Sequence, residues 1–234
     1  MISTLKKAVR STSNYVAAAS EMRFRNTSYS QEGEDLVLDR FFGFRGPGFY
    51  VDVGAHHPHR FSNTHMFYKR GWRGINIDAM PGSMEMFRRM RPRDINLEIG
   101  VGGESSVAKF FVFNERALNT FDEAMARSYT QPEWRIEQVI DVQVEPLANI
   151  LSANVPAGTD IDFFTIDVEG RDLSVLQSND WSRYRPKVVL VECLGKGLSG
   201  LQESDTAKYL MSFGYAPFAK TVNTFFFVRE SLGE

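Results

Sequence analysis

Cysteine is nearly absent from this sequence of 234 residues, which contains only Cys193. A single thiol cannot form an internal disulfide or supply a cysteine-rich zinc module, so both kinds of small stabilised domain are excluded. One unpaired cysteine suits a reducing compartment, and we expect the protein to be cytoplasmic. Long apolar runs are missing as well. No stretch approaches the roughly 20 residues that span a bilayer, and no compact apolar block indicates a signal peptide.

An excess of charge of either sign is also lacking, because 27 basic residues face 29 acidic ones for a net charge of -2. Such a balance excludes a broad basic surface for a nucleic-acid backbone, so we expect no nucleic-acid partner. Residues 1–27 are locally basic and weakly amphipathic. They predict a leader helix or a flexible segment that makes at most peripheral membrane contact or touches a neighbouring subunit of a homo-oligomer.

Residues 28–234 predict one α/β domain, since short apolar runs alternate with amphipathic stretches of helical length. The predicted strands are 49–55, 74–79, 95–102, 107–113, 139–147, 161–170, 186–194, 215–221 and 224–230. The predicted helices are 31–42, 64–71, 81–91, 172–178 and 205–214. Runs that are apolar on both faces are typical of parallel sheets, and the last two strands are spaced as an antiparallel hairpin.

The first strand predicts a ligand site, because ligands of open parallel sheets bind beyond the carboxyl ends of the strands. Asp52 and Gly54 stand at that end, and Asp78 ends the next strand at a spacing that suits hydrogen bonds to ribose hydroxyls. After Gly54 the chain reads AHHPHRFSN, without the glycines that a pyrophosphate requires. A nicotinamide-dependent oxidoreductase is therefore disfavoured. Alternatively, Asp52 and Asp78 only end strands in a sugar-binding or inert α/β fold.

Several blocks in series resemble the FkbM family of methyltransferases. They are SYSQEGEDLVLDRFF (28–42), FYVDVGAHHP (49–58), INIDAMPGS (75–83), IGVGG (99–103) and FFTIDVEGRDLSVLQ (163–177). The resemblance implies a Rossmann-like class I methyltransferase fold with a mostly parallel seven-stranded sheet and a C-terminal antiparallel hairpin. It also implies S-adenosyl-L-methionine as methyl donor and O-methylation of a sugar or polyketide-like hydroxyl.

Carried over by position, the resemblance implies a set of cofactor-binding residues. Asp52 and Gly54 would lie near the methionine moiety, Asp78 on the ribose and Gly100 beside the adenine. The N-terminal side of the pocket would be closed by Ser30, Gln31 and Glu34. The segment His56–His59 departs from the family, where many members have Asn and small residues.

A hydroxyl acceptor requires a general base or a metal ion, because its own pKa is very high. Asp167 and Glu169 follow a central strand, and strand alternation predicts that both side chains share one face. The pair could act as base, bind a divalent cation such as Mg²⁺, or grip the hydroxyls of a sugar. Alternatively these carboxylates cap the next helix, with Asp172 favouring its dipole. His57 is a second candidate base or, with His59, a metal ligand.

Several other residues have less specific expected roles. Glu192 is a further carboxylate near the expected active edge, unless Lys196 neutralises it. Aromatic residues that could stack on a sugar, or simply belong to the core, are Phe61, Tyr68, Trp72 and Tyr129. Residues 114–138 have the composition of a lid-like insert that recognises the acceptor.

The sequence therefore predicts an S-adenosylmethionine-dependent O-methyltransferase of polysaccharide biosynthesis. Its partner would be a small-molecule or glycan acceptor, with the methyl group going to a hydroxyl of a sugar, nucleotide sugar or glycan. The alternative is a non-catalytic binding or scaffold module of a glycan-assembly system on the same fold.

Overall fold

A computed structural model describes residues 26–43, 46–193, 197–201 and 203–230. Nearly all of the predicted leader, residues 1–25, lies outside this range, so its helical or flexible state stays a prediction. Within the described part of the chain, no helix is long and apolar enough to cross a membrane.

Ten strands and seven α-helices form the described structure. The strands are β1 (Phe49–Val53), β2 (Arg73–Asp78), β3 (Ile95–Glu98), β4 (Gly100–Val101), β5 (Ser106–Phe113), β6 (Ile136–Glu145), β7 (Phe163–Ile166), β8 (Val188–Glu192), β9 (Tyr215–Lys220) and β10 (Thr224–Arg229). The helices are α1 (Glu34–Phe41), α2 (His65–Lys69), α3 (Met84–Met90), α4 (Glu123–Tyr129), α5 (Leu147–Asn154), α6 (Asp172–Gln177) and α7 (Asp205–Ser212). Short 3-10 turns occupy Arg116–Leu118 and Leu198–Leu201.

A seven-stranded sheet with the order β3-β2-β1-β7-β8-β10-β9 forms the centre of the domain. Its first five strands pair in parallel, whereas β10 runs antiparallel to both β8 and β9. The predicted Rossmann-like fold with a C-terminal antiparallel hairpin is thereby confirmed. The strand order reverses between β1 and β7, so the crevice at their carboxyl ends is the expected ligand site.

The third predicted strand, 95–102, was wrong as a single strand, because the chain changes sheets at Ile99. The amide of Ile99 donates to the carbonyl of Asp78 at 3.0 Å, and the next residues leave the central sheet. There β4 pairs with β6 in a second, three-stranded sheet of order β4-β6-β5. Gly100 is thus brought over the end of β2.

The extended prediction for 139–147 was also wrong at its end, and helix α5 was missed. Strand β6 ends at Glu145, and Pro146 serves as the N-cap of α5. Proline suits a helix start because its missing N–H has no helical partner there. Leu147 and Leu151 of α5 are fully buried against the sheet, which fixes the helix on that face.

Both faces of the central sheet are covered by apolar clusters, as its parallel strands require. One cluster contains Val51, Ile75 and Phe164, and the other contains Tyr50 and Trp72. Trp72 is 0% exposed, so its side chain belongs to the core and is not available to stack on a ligand. Tyr68 is likewise buried. The rigid sheet that results holds the strand ends in fixed positions.

Candidate functional site

A cavity of about 330 Å³ opens at the carboxyl ends of the central strands. Six of the predicted site residues line it: Gln31, Gly54, Asp78, Gly100, Asp167 and Glu169. Three others, Glu34, Asp52 and His57, are not among the described residues that line it. The predicted edge of the sheet is thus where the structure places the cavity.

Gly54 lies where the carboxyl ends of β1 and β7 meet. Its φ of 84° is in the left-handed region, and a Cβ there would lie 1.8 Å from the carbonyl oxygen of Asp167. Only glycine allows this approach. The residue therefore fixes the floor of the cavity and the position of Asp167 together.

Asp78 presents an oriented carboxylate at the adjoining strand end. Oδ2 accepts a hydrogen bond from the amide of His56 at 3.0 Å, and Oδ1 accepts one from the amide of Met80 at 2.8 Å. Burial raises the pKa of Asp78, while these two amide hydrogen bonds lower it. Each oxygen keeps a second lone pair, so the carboxylate can accept from two neighbouring hydroxyls.

Gly100 borders the same end of the cavity. A Cβ at this position would lie 2.7 Å from the ring of Phe121, so the glycine lets that ring close on the cavity wall. Phe121 in turn packs against Phe110 with ring centroids 4.6 Å apart. Together they form an apolar wall that suits a flat, weakly polar group such as a purine.

Asp167, Glu169 and Glu192 form what we call the carboxylate cluster. Each offers one oxygen, and the three oxygens lie within 4.8 Å of one another. The predicted reason for the closeness of Asp167 and Glu169 was wrong, since β7 ends at Ile166. A turn brings them together instead, with Glu169 at a φ of 50°. The alternative role at the start of the next helix stays open: the N-cap residue of α6, Arg171, makes no side-chain capping hydrogen bond, and Asp172 lies in the first turn.

The carboxylate cluster favours proton uptake. Burial and the neighbouring carboxylates raise the pKa of Asp167 and of Glu192, and burial raises that of Glu169. Behind the cluster, burial and the charge of Asp167 raise the pKa of Asp172 to about 7. Asp167 is exposed at the cavity, and the charge of Glu169 beside it favours its protonated form. Like charges in a confined space cannot all ionise at neutral pH.

The insert of residues 114–138 contacts the cluster directly. The hydroxyl of Tyr129 donates to Oε2 of Glu169 at 2.5 Å, and that of Thr120 donates to the Glu169 carbonyl at 2.7 Å. Six residues of the insert line the cavity: Arg116, Ala117, Leu118, Asn119, Phe121 and Tyr129. Whether the insert moves as a lid stays a prediction.

Asp52 faces a buried polar network rather than the cavity. Its Oδ2 accepts from the Thr64 hydroxyl at 2.8 Å, and the same hydroxyl oxygen accepts from Arg91 at 2.7 Å. Burial raises the pKa of Asp52 to about 6, although Thr64 and Arg91 oppose this. Its expected place near the methionine moiety therefore has no direct counterpart in the geometry.

Arg91 fixes the histidine-rich loop from behind. The side chain is 0% exposed and donates to the carbonyl of Pro58 and to the Ser62 hydroxyl, the latter at 2.7 Å. These bonds hold the loop between β1 and α2 in place.

Within that loop, His56 and Phe61 reach the cavity, whereas His57 does not. Nδ1 of His57 accepts hydrogen bonds from the amides of His59 and Arg60, at 3.0 and 2.9 Å. Burial lowers the pKa of His57, which favours the neutral ring. The two hydrogen bonds to its Nδ1 stabilise the loop. Among the described residues, no cluster with the geometry of a metal site includes a histidine.

The N-terminal segment of the domain closes the cavity from the other side, as the sequence predicted for Gln31. Glu34 contributes indirectly, because its Oε1 accepts from the Thr221 hydroxyl at 2.7 Å. The neighbouring Glu32 accepts from the amide and side chain of Asn223 at 2.7 and 2.8 Å. We call these contacts the clamp. It holds Gln31 and Asn223 at the cavity wall.

Sequence reasoning singled out neither Asn223 nor Arg116, although Arg116 belongs to the predicted insert 114–138. Asn223 lies in the turn between β9 and β10, and turn residues of this type are common without any function. Arg116 lies in the polar insert, where nothing in the pattern distinguishes it from other charged residues.

Comparison with known proteins identifies the family. The sequence model of the methyltransferase FkbM domain matches residues 52–216, which is more than half of the chain. The chain belongs to the FkbM methyltransferase family. No curated protein shows a significant match to this FkbM methyltransferase.

Solved structures offer only distant likenesses to the FkbM methyltransferase. A TehB-like SAM-dependent methyltransferase from Corynebacterium glutamicum has 12% identity and a TM-score of 0.41, with 94% of this chain and 98% of that chain covered. A candidate RNA methyltransferase from Pyrococcus horikoshii has 11% identity and a TM-score of 0.40, with 88% and 89% covered. Likenesses this remote do not bear on the substrate.

Proposed function

We propose that this FkbM methyltransferase transfers a methyl group from S-adenosylmethionine to a hydroxyl of a sugar, nucleotide sugar or glycan. The observation that carries the proposal is the carboxylate cluster, which lies in the same cavity as Asp78 and Gly100. A group that can take up a proton thus stands in the cavity that suits the donor.

The residues present fit an adenosyl group. Asp78 offers two oxygens that are already oriented by backbone amides, which suits the two hydroxyls of a ribose. Gly100 and the Phe121 ring beside it suit the adenine. A cavity of about 330 Å³ lies at the lower end of the range for small-molecule sites.

S-adenosylmethionine would supply an electrophilic methyl group, and the protein must supply orientation and a proton acceptor. A hydroxyl beside the carboxylate cluster can donate its proton to a carboxylate oxygen of Asp167 or Glu169. The pKa of each is raised to about 7, which favours transfer from an alcohol at neutral pH, whereas the pKa of Glu192 is raised to about 10 and this group keeps its own proton.

The remainder of the cavity suits a sugar. The amide side chains of Gln31 and Asn223 can exchange hydrogen bonds with hydroxyls, as carbohydrate recognition requires. Phe61 is 42% exposed at the cavity and offers an aromatic surface to an apolar sugar face. These features support a hydroxyl-rich acceptor over an apolar one.

A divalent cation such as Mg²⁺ is a second proposal for the carboxylate cluster, since carboxylate oxygens are its preferred protein ligands. The spacing of the three oxygens supports it. Added MgCl₂ should then raise the melting temperature of the wild type at pH 8, and Glu192→Gln should abolish the rise. An equal response of both proteins would count against a cation at this place.

The proposed function is tested in two steps. S-adenosylhomocysteine should raise the melting temperature of the wild type, and Asp78→Ala should remove this effect. Labelled methyl transfer to a panel of sugars and nucleotide sugars should then occur with the wild type and fail with Asp167→Asn. The scaffold alternative predicts no transfer by the wild type and unchanged binding to glycan-assembly proteins by Asp78→Ala.

We further propose that the protein acts in the cytoplasm on a small-molecule or glycan acceptor rather than on nucleic acid. The near-neutral composition, with a net charge of -2, supports the second part. We therefore expect no binding to single-stranded or double-stranded oligonucleotides, at low or at high salt concentration.

A further inference from the structure

The charges that line the cavity are very unequal. Four carboxylates border it, namely Asp78, Asp167, Glu169 and Glu192. Among the described lining residues, Arg116 is the only arginine or lysine. S-adenosylmethionine and S-adenosylhomocysteine each contain one anionic group, the α-carboxylate of the amino acid. In this surrounding the α-carboxylate is repelled by those of the four acids that are ionised and attracted by one cationic side chain.

Arg116 is held beside the cavity by its local structure. Arg116 is the first residue of the 3-10 turn, and Glu115 caps this turn. The amide of Ala117 donates a hydrogen bond to Oε1 of Glu115 at 3.3 Å. At the other end, Oδ1 of Asn119 accepts from the Phe113 amide at 2.8 Å. The turn is therefore anchored to the end of β5, and this fixes the backbone that bears the guanidinium group of Arg116.

The guanidinium group of Arg116 is available for a ligand. None of the ion pairs among the residues that the structure describes includes it. Burial is the main cause that lowers the pKa of His56, and the positive charges of Arg60 and Arg116 lower it further. The amide of His56 also orients Asp78. Arg116 and His56 thus border the same cavity as Asp78 and Gly54.

We propose that Arg116 binds the α-carboxylate of the methyl donor. The proposal rests on the proposed use of S-adenosylmethionine and adds a residue that holds the amino-acid end of that molecule. A guanidinium group matches a carboxylate through two parallel hydrogen bonds, which fixes orientation as well as charge. Holding this end would keep the sulfonium methyl group at a constant position relative to the carboxylate cluster.

Arg60 provides a matched control. It stands close by, but its Nη2 pairs with Oε2 of Glu115 at 3.6 Å, and its guanidinium lies 4.4 Å from the centre of the Phe61 ring. It is not among the residues that line the cavity. Removal of its charge therefore changes the local field without removing a ligand contact.

The experiment compares two ligands by isothermal titration calorimetry. S-adenosylhomocysteine contains the α-carboxylate, whereas 5′-deoxy-5′-methylthioadenosine lacks the amino-acid moiety. We expect R116Q to weaken S-adenosylhomocysteine about tenfold, the usual effect of losing a charged hydrogen bond, and to leave methylthioadenosine unchanged. R60Q should leave both affinities unchanged, and R116K should restore part of the loss.

Retained methylthioadenosine affinity also shows that R116Q is folded. The proposal is overturned if R116Q binds S-adenosylhomocysteine as tightly as the wild type, in which case an anionic acceptor group is the better occupant. Equal weakening of both ligands overturns it as well, because a general distortion would explain the loss. If the wild type binds neither ligand, the proposed function itself fails along with this inference.

Discussion

Asp172 should destabilise the ligand-free protein as the pH rises, and Asp172→Asn should remove this effect. The side chain is 7% exposed, and its Oδ1 has no hydrogen-bond partner among the described residues. Burial and the charge of Asp167 raise its pKa from 3.8 to about 7. The folded protein therefore keeps the proton over a range of pH in which the unfolded chain has lost it.

The sign and size of the effect follow from this difference. Below about pH 4 both states are protonated, and Asp172 does not affect the unfolding free energy. As the pH rises towards 7 only the unfolded chain ionises, so the unfolding free energy falls. Each pKa unit corresponds to about 1.4 kcal/mol, which gives a limit of roughly 4 kcal/mol above pH 7. From pH 5 to pH 8 the advantage of the variant should grow by about 2 to 3 kcal/mol.

Urea unfolding of the ligand-free wild type and Asp172→Asn at pH 5, 6, 7 and 8 measures this advantage. Asp141→Asn is the control for the loss of one carboxylate, since Asp141 is exposed on β6. A constant difference between the wild type and Asp172→Asn over this range would refute the reasoning. It would mean that Asp172 ionises equally in the folded and unfolded states.

Three further predictions concern the cavity and its support. Gly54→Ala should lower the unfolding free energy by about 2 to 4 kcal/mol in urea, because its Cβ meets the Asp167 carbonyl in a left-handed backbone; wild-type stability would contradict this. Arg91→Met should lower the unfolding free energy by roughly 3 kcal/mol, since several buried acceptors lose their donor. A higher unfolding free energy in the same urea assay would show that the buried charge destabilises the fold. Tyr129→Phe removes a hydrogen bond that lowers the pKa of Glu169, so the acidic limb of the pH profile of methyl transfer should move to higher pH. An unchanged acidic limb would show that Glu169 is not the group that accepts the proton.

The sequence predicts much of the central sheet because its signals are local. Phe49–Val53 is buried at every position, and such continuous apolar runs are recognisable as parallel strands. The positions of Gly54, Asp78 and Asp167 follow from where these runs end. The cavity at their ends is therefore accessible to sequence reasoning.

The remaining features depend on contacts between distant residues. The run 95–102 has uniform strand character, and its break at Ile99 arises from pairing with the end of β2 rather than from its own composition. The Asp52 carboxylate turns towards Thr64 because Arg91 lies buried behind it. No local pattern records such an arrangement. The closeness of Glu192 to Glu169 likewise depends on strand order.

The clamp has a consequence for synthesis on the ribosome. Glu32 and Glu34 are synthesised long before their partners Asn223 and Thr221, which follow 191 and 187 residues later. The nascent polypeptide can build most of the sheet beforehand, yet one wall of the cavity has to wait for the hairpin of β9 and β10. We therefore expect ribosome-stalled chains that expose only residues up to about 200 to have little affinity for the methyl donor, whereas the released protein binds it.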